Sequence, residues 1–272
     1  MTVAGLWRHS GLYAGGVLVA AGIALAALAP LLAPADPTAT DLAARLQPPT
    51  MANPFGTDHL GRDVASRLLF GARTTLATAG CLLLAVSTIA IVAGLVAGYF
   101  GGWADTTVMG AADVVLAFPG IVLAVFVAGL LGPGLLNLVL AMTITWWAGY
   151  ARLVRGLVLA ARRHEYVEAA RAMGASHAHI VARHIWLAIR EQVLVIATLD
   201  LGAMVVALSG LGFLGLGAQP PTPEWGAMLN DGRPFLQTAP YLVVLPAACL
   251  CLTVLGWNLL GDGLRDLLDP RG

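Results

Sequence analysis

Six long apolar stretches, separated by more polar segments, run along the 272-residue chain. Each is long enough to cross a bilayer as a helix, which takes about 20 mostly apolar residues. The third and fourth are separated only by Gly132-Pro133-Gly134, a sequence typical of a tight turn between two helices. The pattern predicts an all-α membrane protein with about six transmembrane helices, at residues 12–33, 74–99, 108–131, 135–153, 193–215 and 241–260.

The composition supports a lipid environment and excludes several kinds of site. Hydrophobic residues make up 58% of the chain and charged residues 11%, against about 25% charged in a typical soluble domain. All 15 basic residues are Arg, so the chain lacks the Lys that a phosphate-binding P-loop requires. We therefore expect that the chain does not hydrolyse ATP itself and is not an enzyme. The zero net charge argues against a nucleic-acid partner.

The distribution of arginine predicts the orientation in the membrane. With the N-terminus on the cytoplasmic side, ten arginines fall in cytoplasmic segments and five in outer segments. This places residues 165–185 in the cytosol and residues 34–70 outside. The first apolar stretch, residues 12–33, exceeds the core of a signal peptide, which is about 7–15 residues long, and we interpret it as a retained span.

The outer segment, residues 34–70, has two parts with different patterns. Its first part is rich in proline, which favours an extended chain over a helix. Towards its end the apolar residues Leu60, Val64, Leu68 and Leu69 recur at helical spacing, with charged residues between them. This spacing predicts that residues 58–70 form a short amphipathic helix at the membrane interface. A solvated cap on the second span and a binding role are both consistent with that position.

The cytoplasmic loop after the fourth span has the pattern of a helical hairpin. Helix-forming residues fill 165–173, Gly174 can adopt the left-handed conformation that ends a helix, and Ser176 is placed to cap a second helix. Within the first helix, Glu168-Ala169-Ala170 combines one carboxylate with two small side chains. Small residues allow another surface to approach closely and a carboxylate fixes its register, which favours a docking helix. A solvated hairpin with ordinary surface charges is the alternative.

This loop and three further motifs resemble the permeases of bacterial ABC importers. The spacing of Glu168-Ala169-Ala170, Gly174 and Ile185 is similar to the EAA loop of that family. The other motifs resemble the second of the two permeases in dipeptide, oligopeptide and nickel importers, and the resemblance covers residues 54–270. These motifs are Gly56-Thr57-Asp58-His59-Leu60-Gly61-Arg62-Asp63, Leu211-Gly212-Phe213-Leu214-Gly215-Leu216-Gly217 with Pro220-Pro221-Thr222-Pro223-Glu224-Trp225-Gly226, and Asn258-Leu259-Leu260-Gly261-Asp262-Gly263-Leu264-Arg265-Asp266.

The resemblance implies a function, partners and a location. In this family the EAA loop docks on a cytoplasmic ATPase, which makes Glu168, Ala169, Ala170, Gly174 and Ile185 the candidate coupling residues. The implied partners are a homologous permease, two cytoplasmic ATPase subunits and an extracytoplasmic solute-binding protein, all at the bacterial cytoplasmic membrane. The expected division is an N-terminal part, 1–73, and a transmembrane core, 74–272. No catalytic residue, cofactor or metal site is implied.

One departure from the family bears on the substrate. The family loop usually closes with Ile-Leu-Pro, whereas this chain has Ile185-Trp186-Leu187, so the kink that proline would cause is in question. Nickel-type members are less uniform at this point, and Ala197-Thr198-Leu199-Asp200-Leu201-Gly202 also resembles them. The loop at residues 220–226 is equally similar to dipeptide permeases. We expect nickel or a nickel chelate as substrate, with short peptides as the alternative.

Two aspartates fall within the predicted spans. Asp113 is near the inner end of its span, where its side chain can reach the interface. Asp200 lies deeper, which is typical of a residue of the substrate pathway or of a buried hydrogen-bonding partner. An ion-coupled secondary transporter would need several such groups and internal repeats, which the sequence lacks. An intramembrane hydrolase would need a nucleophile–base pair or a His-Glu-x-x-His motif, which is also absent.

Two further patterns are better explained by packing or by solvent. Residues 210–215 match the dinucleotide fingerprint in letters, but no strand precedes them, and close helix packing explains them better, as it does Gly94 and Gly98. His177, His179 and His184 in the cytoplasmic loop are interpreted as solvated side chains, because their spacing is not that of a known metal site. His59 is the one histidine of the outer segment and belongs to a family motif; a metal contact there is the less favoured alternative.

Overall fold

The fold is all-helical throughout the part of the chain that the structure, a computed structural model, describes: residues 10–268. No β-strand is present in these residues, and one isolated β-bridge joins Thr57 to Asp63. The α-helices are α1 (Ser10–Ala27), α2 (Ala29–Leu32), α3 (Val64–Phe100), α4 (Gly102–Leu116), α5 (Gly120–Leu131), α6 (Leu135–Ala161), α7 (Glu165–Ala172), α8 (His177–Ile180), α9 (Trp186–Phe213), α10 (Trp225–Gly232) and α11 (Tyr241–Leu268). A π turn at Val181–Ile185 joins α8 to α9, and 3-10 turns lie at Leu42–Ala44 and Arg233–Phe235.

Six helical segments account for the six predicted spans. α3, α11 and the continuous helix His177–Phe213 are each long and apolar enough to cross a membrane, and the bent pair of α4 and α5 is a fourth candidate. α1 is apolar but shorter, and α6 is 27 residues long. The prediction of an all-α membrane fold is confirmed, although α3, α6 and α11 extend beyond the predicted ends of their spans.

The most extensive helix contact in the bundle joins α3 to α6, and glycines on α3 make it possible. A Cβ atom at Gly94 would lie 2.6 Å from the Cβ of Val154, and one at Gly98 would lie 2.8 Å from the Cβ of Val158. Because lipid supplies no hydrophobic drive between apolar helices, small residues that let backbones approach are a principal source of attraction. The prediction that these two glycines serve helix packing is confirmed.

Glycines also allow α11 to pack closely between α1 and α9. A Cβ atom at Gly263 of α11 would lie 2.6 Å from the Cα of Leu12 on α1. On the other side, a Cβ atom at Gly261 would lie 2.5 Å from the Cδ2 of Leu199 on α9. The first apolar stretch is therefore an integral helix of the bundle, as expected for a retained span.

The predicted third span, residues 108–131, is divided between two helices that meet at a sharp bend. α4 ends at Leu116 and α5 begins at Gly120, with an angle of 87° between them. Pro119 explains the break, because proline lacks the amide hydrogen that continues a helix and disfavours helical geometry in the residue before it. Both helices pack on α6, so the pair forms a broken span or a re-entrant segment.

The prediction of an amphipathic interfacial helix at residues 58–70 is wrong. α3 begins only at Val64, where the carboxylate of Asp63 accepts a backbone amide hydrogen at 2.7 Å and caps the helix. The helix then continues directly into the second span. Arg62 and Arg67 are 2% and 3% exposed, so the segment packs inside the protein instead of presenting its charges to the membrane surface.

A buried ion cluster explains why these arginines face inward. The Oδ2 atom of Asp58 lies 2.6 Å from Nε of Arg62 and 3.4 Å from Nε of Arg67. On α10, the Oδ2 atom of Asp231 lies 3.6 Å from Nη2 of each arginine. Burial and the charge of Arg62 lower the pKa of Arg67 to about 10, while the two carboxylates oppose that shift. The cluster fixes the outer segment to the start of α3 and to α10.

A second buried carboxylate anchors α10 to the bundle. Glu224 is 4% exposed and accepts hydrogen bonds from the backbone amides of Gly226 and Ala227 at 2.8 and 2.9 Å. The hydroxyls of Thr75 on α3 and Ser209 on α9 donate to it at 3.1 and 3.4 Å. Burial raises the pKa of Glu224, and these hydrogen bonds act in the opposite direction. One carboxyl group thus joins α3, α9 and α10.

Gly94→Ala should destabilise the bundle, because the added Cβ would lie 2.6 Å from the Cβ of Val154 and 2.8 Å from the backbone oxygen of Ala151. We expect a cost of about 1–3 kcal/mol, as is usual for overpacking, measured as loss of folded protein on heating in detergent. Gly80→Ala is the matched control, because a Cβ there meets nothing within 4 Å and alanine favours the helix. Equal thermal stability of the two variants would contradict the close packing of α3 on α6.

Asp58→Ala should loosen the outer segment, because it leaves Arg62 and Arg67 buried beside a single, more distant carboxylate. Breaking a buried ion cluster in this way costs about 3–5 kcal/mol. The measurement is thermal stability, together with protease cleavage within residues 36–63. Asp36→Ala is the control, because its exposed carboxylate bonds only to the nearby Thr38. If Asp58→Ala behaves like this control, the ion cluster does not hold the segment.

Candidate coupling site

The candidate coupling site lies at the Phe100 end of α3, about 55 Å along that helix from the outer ion cluster. α6 ends here at Ala161, and α7 follows after three linking residues. Val167 and Ala170 of α7 are 0% and 4% exposed, and Ile180 and Ile185 beyond the turn are both 0% exposed. These four side chains pack with Val154 and Val158 of α6 in one hydrophobic cluster, so the hairpin is part of the folded core.

Gly174 and Ser176 form the turn after α7 as the sequence predicted. Gly174 has φ +82°, and the amide hydrogens of Gly174 and Ala175 bond to the carbonyls of Arg171 and Ala170 at 3.0 and 3.1 Å, which is a Schellman motif. The Ser176 hydroxyl accepts a backbone amide hydrogen at 3.3 Å and caps α8. A Cβ on Gly174 would meet nothing within 4 Å, so glycine is needed there for its backbone conformation and not for space.

The second helix of the predicted hairpin is not a separate element. α8 continues through the π turn into α9, and together they form one helix of 37 residues, His177–Phe213. The predicted helix and sharp break are confirmed by α7 and Gly174, whereas the predicted second helix is continuous with the helix of the fifth span. The π turn, Val181–Ile185, ends immediately before Trp186, and Leu187, at the position of the proline in the family loop, lies in the regular helix α9.

The five candidate coupling residues lie in one hairpin but face in two directions. Glu168 and Ala169 are exposed on α7, and Gly174 is exposed at the turn. Ala170 and Ile185 are buried in the hydrophobic cluster of the hairpin. Only the exposed members can touch another chain, so Ala170 and Ile185 support the hairpin from inside.

The same hairpin carries two large exposed side chains that the sequence did not single out as candidates. Tyr166 is 46% exposed and Met173 is 81% exposed. Exposed apolar side chains that cluster on a short polar helix are typical of an interaction surface. The only signal in the sequence was their position within five residues of Glu168.

Polar contacts fasten the hairpin to the end of α3. The Tyr99 hydroxyl, on a residue that is 5% exposed, lies 2.8 Å from Nδ1 of His177 at the start of α8. On the other side, Nη1 of Arg162 donates to the carbonyls of Gly98 and Tyr99 at 2.9 and 3.4 Å. A cation at these last carbonyls of α3 also complements the helix dipole. The hairpin is thereby held in a defined position relative to α3.

The other histidines contact aromatic rings or one another. The rings of His179 and His184 are 5.7 Å apart, and on the outer side His59 stacks on Phe235 at 5.6 Å. Within residues 10–268, no group of three or more His, Cys, Asp or Glu side chains is placed to hold a metal ion.

The two aspartates of the predicted spans have different environments. Asp113 forms an exposed ion pair with Arg152 of α6, in agreement with its expected place near the interface. Asp200 lies in the middle of α9, and none of the salt bridges among the described residues includes it. The structure therefore does not bring Asp200 to the coupling hairpin.

Of the three glycines in the dinucleotide-like sequence, only Gly212 is closely packed: a Cβ atom there would lie 2.6 Å from Oε2 of Glu224. A Cβ atom at Gly210 or Gly215 would meet nothing within 4 Å, so the packing interpretation is confirmed for Gly212 and wrong for the other two. Sequence reasoning had noted Glu224 only as one letter of a motif, and it had assigned nothing to Asp231. Their roles depend on contacts with α3, which is about 150 residues away in the chain.

Comparison with known proteins agrees with this architecture. The family described as "Binding-protein-dependent transport system inner membrane component" matches residues 90–271, and "N-terminal TM domain of oligopeptide transport permease C" matches residues 3–49. The nickel transport system permease protein NikC of Escherichia coli (strain K12) is 44% identical over 238 residues, which cover 88% of this chain and 86% of the relative.

Two further relatives are named for other substrates. The dipeptide transport system permease protein DppC of Alkalihalophilus pseudofirmus is 40% identical over 255 residues, covering 94% of this chain and 84% of the relative. The glutathione transport system permease protein GsiD of Pectobacterium atrosepticum is 45% identical over 223 residues, covering 82% and 74%. On these matches, and with its all-helical bundle of membrane-length helices, the chain belongs to the inner-membrane permease family of ABC importers.

Proposed function

We propose that this chain is one of two homologous permease subunits of an ATP-driven importer, and that its hairpin, residues 165–185, docks on an ATPase subunit. The observation that carries the proposal is the two-sided character of α7. Glu168 and Ala169 are exposed on a short helix whose other side is buried. A small residue lets the backbone of a partner approach closely. The carboxylate beside it supplies a charge-assisted hydrogen bond that fixes the register of the partner.

The remaining partners follow from the family and from the arginine distribution. Two cytoplasmic ATPase subunits bind on the side of the hairpin, and an extracytoplasmic solute-binding protein delivers substrate on the side of the outer ion cluster. ATP hydrolysis belongs to the ATPase subunits, in keeping with relatives that are named as permeases. The assembly works in the cytoplasmic membrane of a bacterium, where the ten-to-five division of arginines places the hairpin in the cytosol.

Coupling depends on how α7 is joined to the bundle. One end of α7 follows α6, and the other leads into the 37-residue helix His177–Phe213. ATP-driven closure of the ATPases moves α7, and the two attached helices carry that movement through the membrane. The substrate cavity between the two permease subunits then changes from inward-facing to outward-facing. An ATPase can shift this equilibrium only if it binds the two states with different affinity, so its contact with Glu168 and Ala169 differs between them.

For the substrate we propose nickel or a nickel chelate, with short peptides, including glutathione, as the alternative. Relatives named for nickel, dipeptide and glutathione transport are 40–45% identical to this chain, so overall identity does not separate the substrates. The proposal is supported by Ile185-Trp186-Leu187, where the family proline is missing, and by the stretch that ends in Asp200-Leu201-Gly202.

Gly174→Val should abolish ATPase docking and transport while the permease remains in the membrane. Valine at φ +82° strains the backbone by about 1–3 kcal/mol, and the open space around the residue leaves the bundle undisturbed. The measurement is co-purification of both ATPase subunits with the tagged permease, with membrane expression determined in parallel. Glu168→Ala should weaken docking less, because it removes one contact and keeps the turn.

Gly174→Asn is the matched control for the turn, because asparagine tolerates the left-handed conformation better than valine does. It should retain more ATPase and more transport than Gly174→Val. Retention of both ATPases and near-normal transport by Gly174→Val would show that the hairpin is a solvated loop and not the coupling element.

Deletion of the gene should lower nickel accumulation and leave growth on dipeptides unchanged. The measurement is uptake of radioactive Ni²⁺ alongside growth with a dipeptide as sole source of a required amino acid. Complementation with the intact gene is the control. Normal nickel accumulation together with lost use of dipeptides would reverse the choice of substrate.

A further inference from the structure

Asp200 lies near the middle of α9. It follows Trp186 by 14 positions and precedes Phe213 by 13, so it is about 20 Å from either end of α9. The residue is half-buried. Asp113 and Asp105, both on α4, instead pair with Arg152 and Arg155 of α6.

Tyr150 is a polar neighbour of Asp200, and among the described residues Asp200 takes part in no salt bridge. The hydroxyl of Tyr150, on α6, lies beside the carboxyl group. The Oδ2 atom of Asp200 is buried and accepts no hydrogen bond. Neighbouring positions on the same face of α9, Ala197 and Met204, line a narrow groove between α3, α6 and α9. Apart from Tyr150, the only polar side chain in that lining is Ser87.

A carboxylate in this position needs an explanation. Burying a polar group without a partner costs free energy, and a charge in the middle of a membrane costs more. Two arrangements remove the cost: a proton on the carboxyl group, which makes Asp200 a neutral partner of Tyr150, or a cation that occupies the free oxygen during part of the transport cycle. An unused oxygen next to a hydroxyl favours the second arrangement, because a purely structural carboxyl would be expected to have its oxygens satisfied.

We propose that Asp200, assisted by the Tyr150 hydroxyl, is a transient binding point for the positively charged group of the substrate midway across the membrane. This inference rests on the proposed function. A divalent metal ion and the ammonium group of a peptide share the required chemistry, since each is a cation that a carboxylate and a hydroxyl oxygen can hold. Two oxygen-bearing side chains give weak binding, which suits a pathway that must also release its substrate.

Asp200→Asn tests the proposal, because asparagine keeps the size and the hydrogen-bonding capacity of a neutral carboxyl group and removes only the charge. At subsaturating substrate we expect uptake by the complete complex in vesicles to fall about tenfold, the effect of losing one charge-assisted contact. Tyr150→Phe, which keeps the charge, should cause a smaller loss. The control is Thr198→Val on the same helix, whose hydroxyl bonds only to its own helix backbone at Leu194.

The probes distinguish the two cations. They are Ni²⁺, a dipeptide with a free amino terminus and its N-acetylated form. Loss of Ni²⁺ uptake in Asp200→Asn identifies a metal ion as the group bound. Loss of uptake for the free dipeptide alone, with the acetylated form unaffected, identifies the ammonium group. Either result supports the proposal.

Three outcomes would overturn it. Wild-type rates in Asp200→Asn would show that a neutral carboxyl group is sufficient. Failure of Asp200→Asn to assemble with the ATPase subunits would assign the residue to packing. A wild-type complex that assembles but transports neither Ni²⁺ nor dipeptide would refute the proposed function, and this inference with it, so the two failures can be told apart.

Discussion

The close approach of α3 and α6 is the constraint on which the rest of this molecule depends. In a bilayer, leucine against leucine is no better than leucine against lipid, so two helices associate only where their backbones come near each other. Gly94 and Gly98 provide that approach by removing the side chains that would meet Val154 and Val158. The outer segment is attached at one end of α3, and the coupling hairpin is attached at the other through Tyr99 and Arg162. Both therefore take their position from this helix pair.

Different kinds of interaction stabilise the two ends of the bundle. At the outer end, ion pairs that are shielded from water join Asp58, Arg62, Arg67 and Asp231. Glu224 accepts four hydrogen bonds. Such clusters contribute little net stability relative to apolar packing, but they tolerate few alternative arrangements. At the other end, the hairpin rests mainly on apolar side chains, and its polar attachments to α3 are the hydrogen bond between Tyr99 and His177 and the contacts of Arg162 with the last carbonyls of α3. The charged end has the more specific geometry, and the apolar end has the simpler contacts.

Much of the fold could be predicted from periodicity, because apolar runs of membrane length admit few structures other than helices. The turn at Gly174 was predictable for a similar reason, since a left-handed residue and a following cap leave local signals. The arginines of the outer segment were misread, because their helical spacing looks the same whether they face lipid headgroups or a buried carboxylate. Their nearest carboxylate, Asp58, was visible in the local sequence, but the second one, Asp231, is distant in sequence and invisible to any local pattern.

The sequence predicted where in the chain the candidate site lies, but not which of its residues are exposed and which are buried. The Glu-Ala-Ala sequence marked the hairpin, but nothing local shows that Ala169 is exposed while Ala170 is buried. That difference depends on where Val158 of α6 lies in three dimensions. The break in the third span left a signal at Pro119, which the sequence reading passed over in favour of continuous hydrophobicity. Asp200 was found because a charge within an apolar run is conspicuous, whereas its unsatisfied oxygen could be seen only in the structure.

The π turn between α8 and α9 sets the direction in which the start of the long helix faces. A π turn accommodates one more residue than an α turn. With 3.6 residues in each α-helical turn, one extra residue rotates the chain before it by about 100° relative to the chain after it. Val181–Ile185 therefore gives Ile180 and the rest of α8 a different angular position about the helix axis from the one that an unbroken α-helix would give.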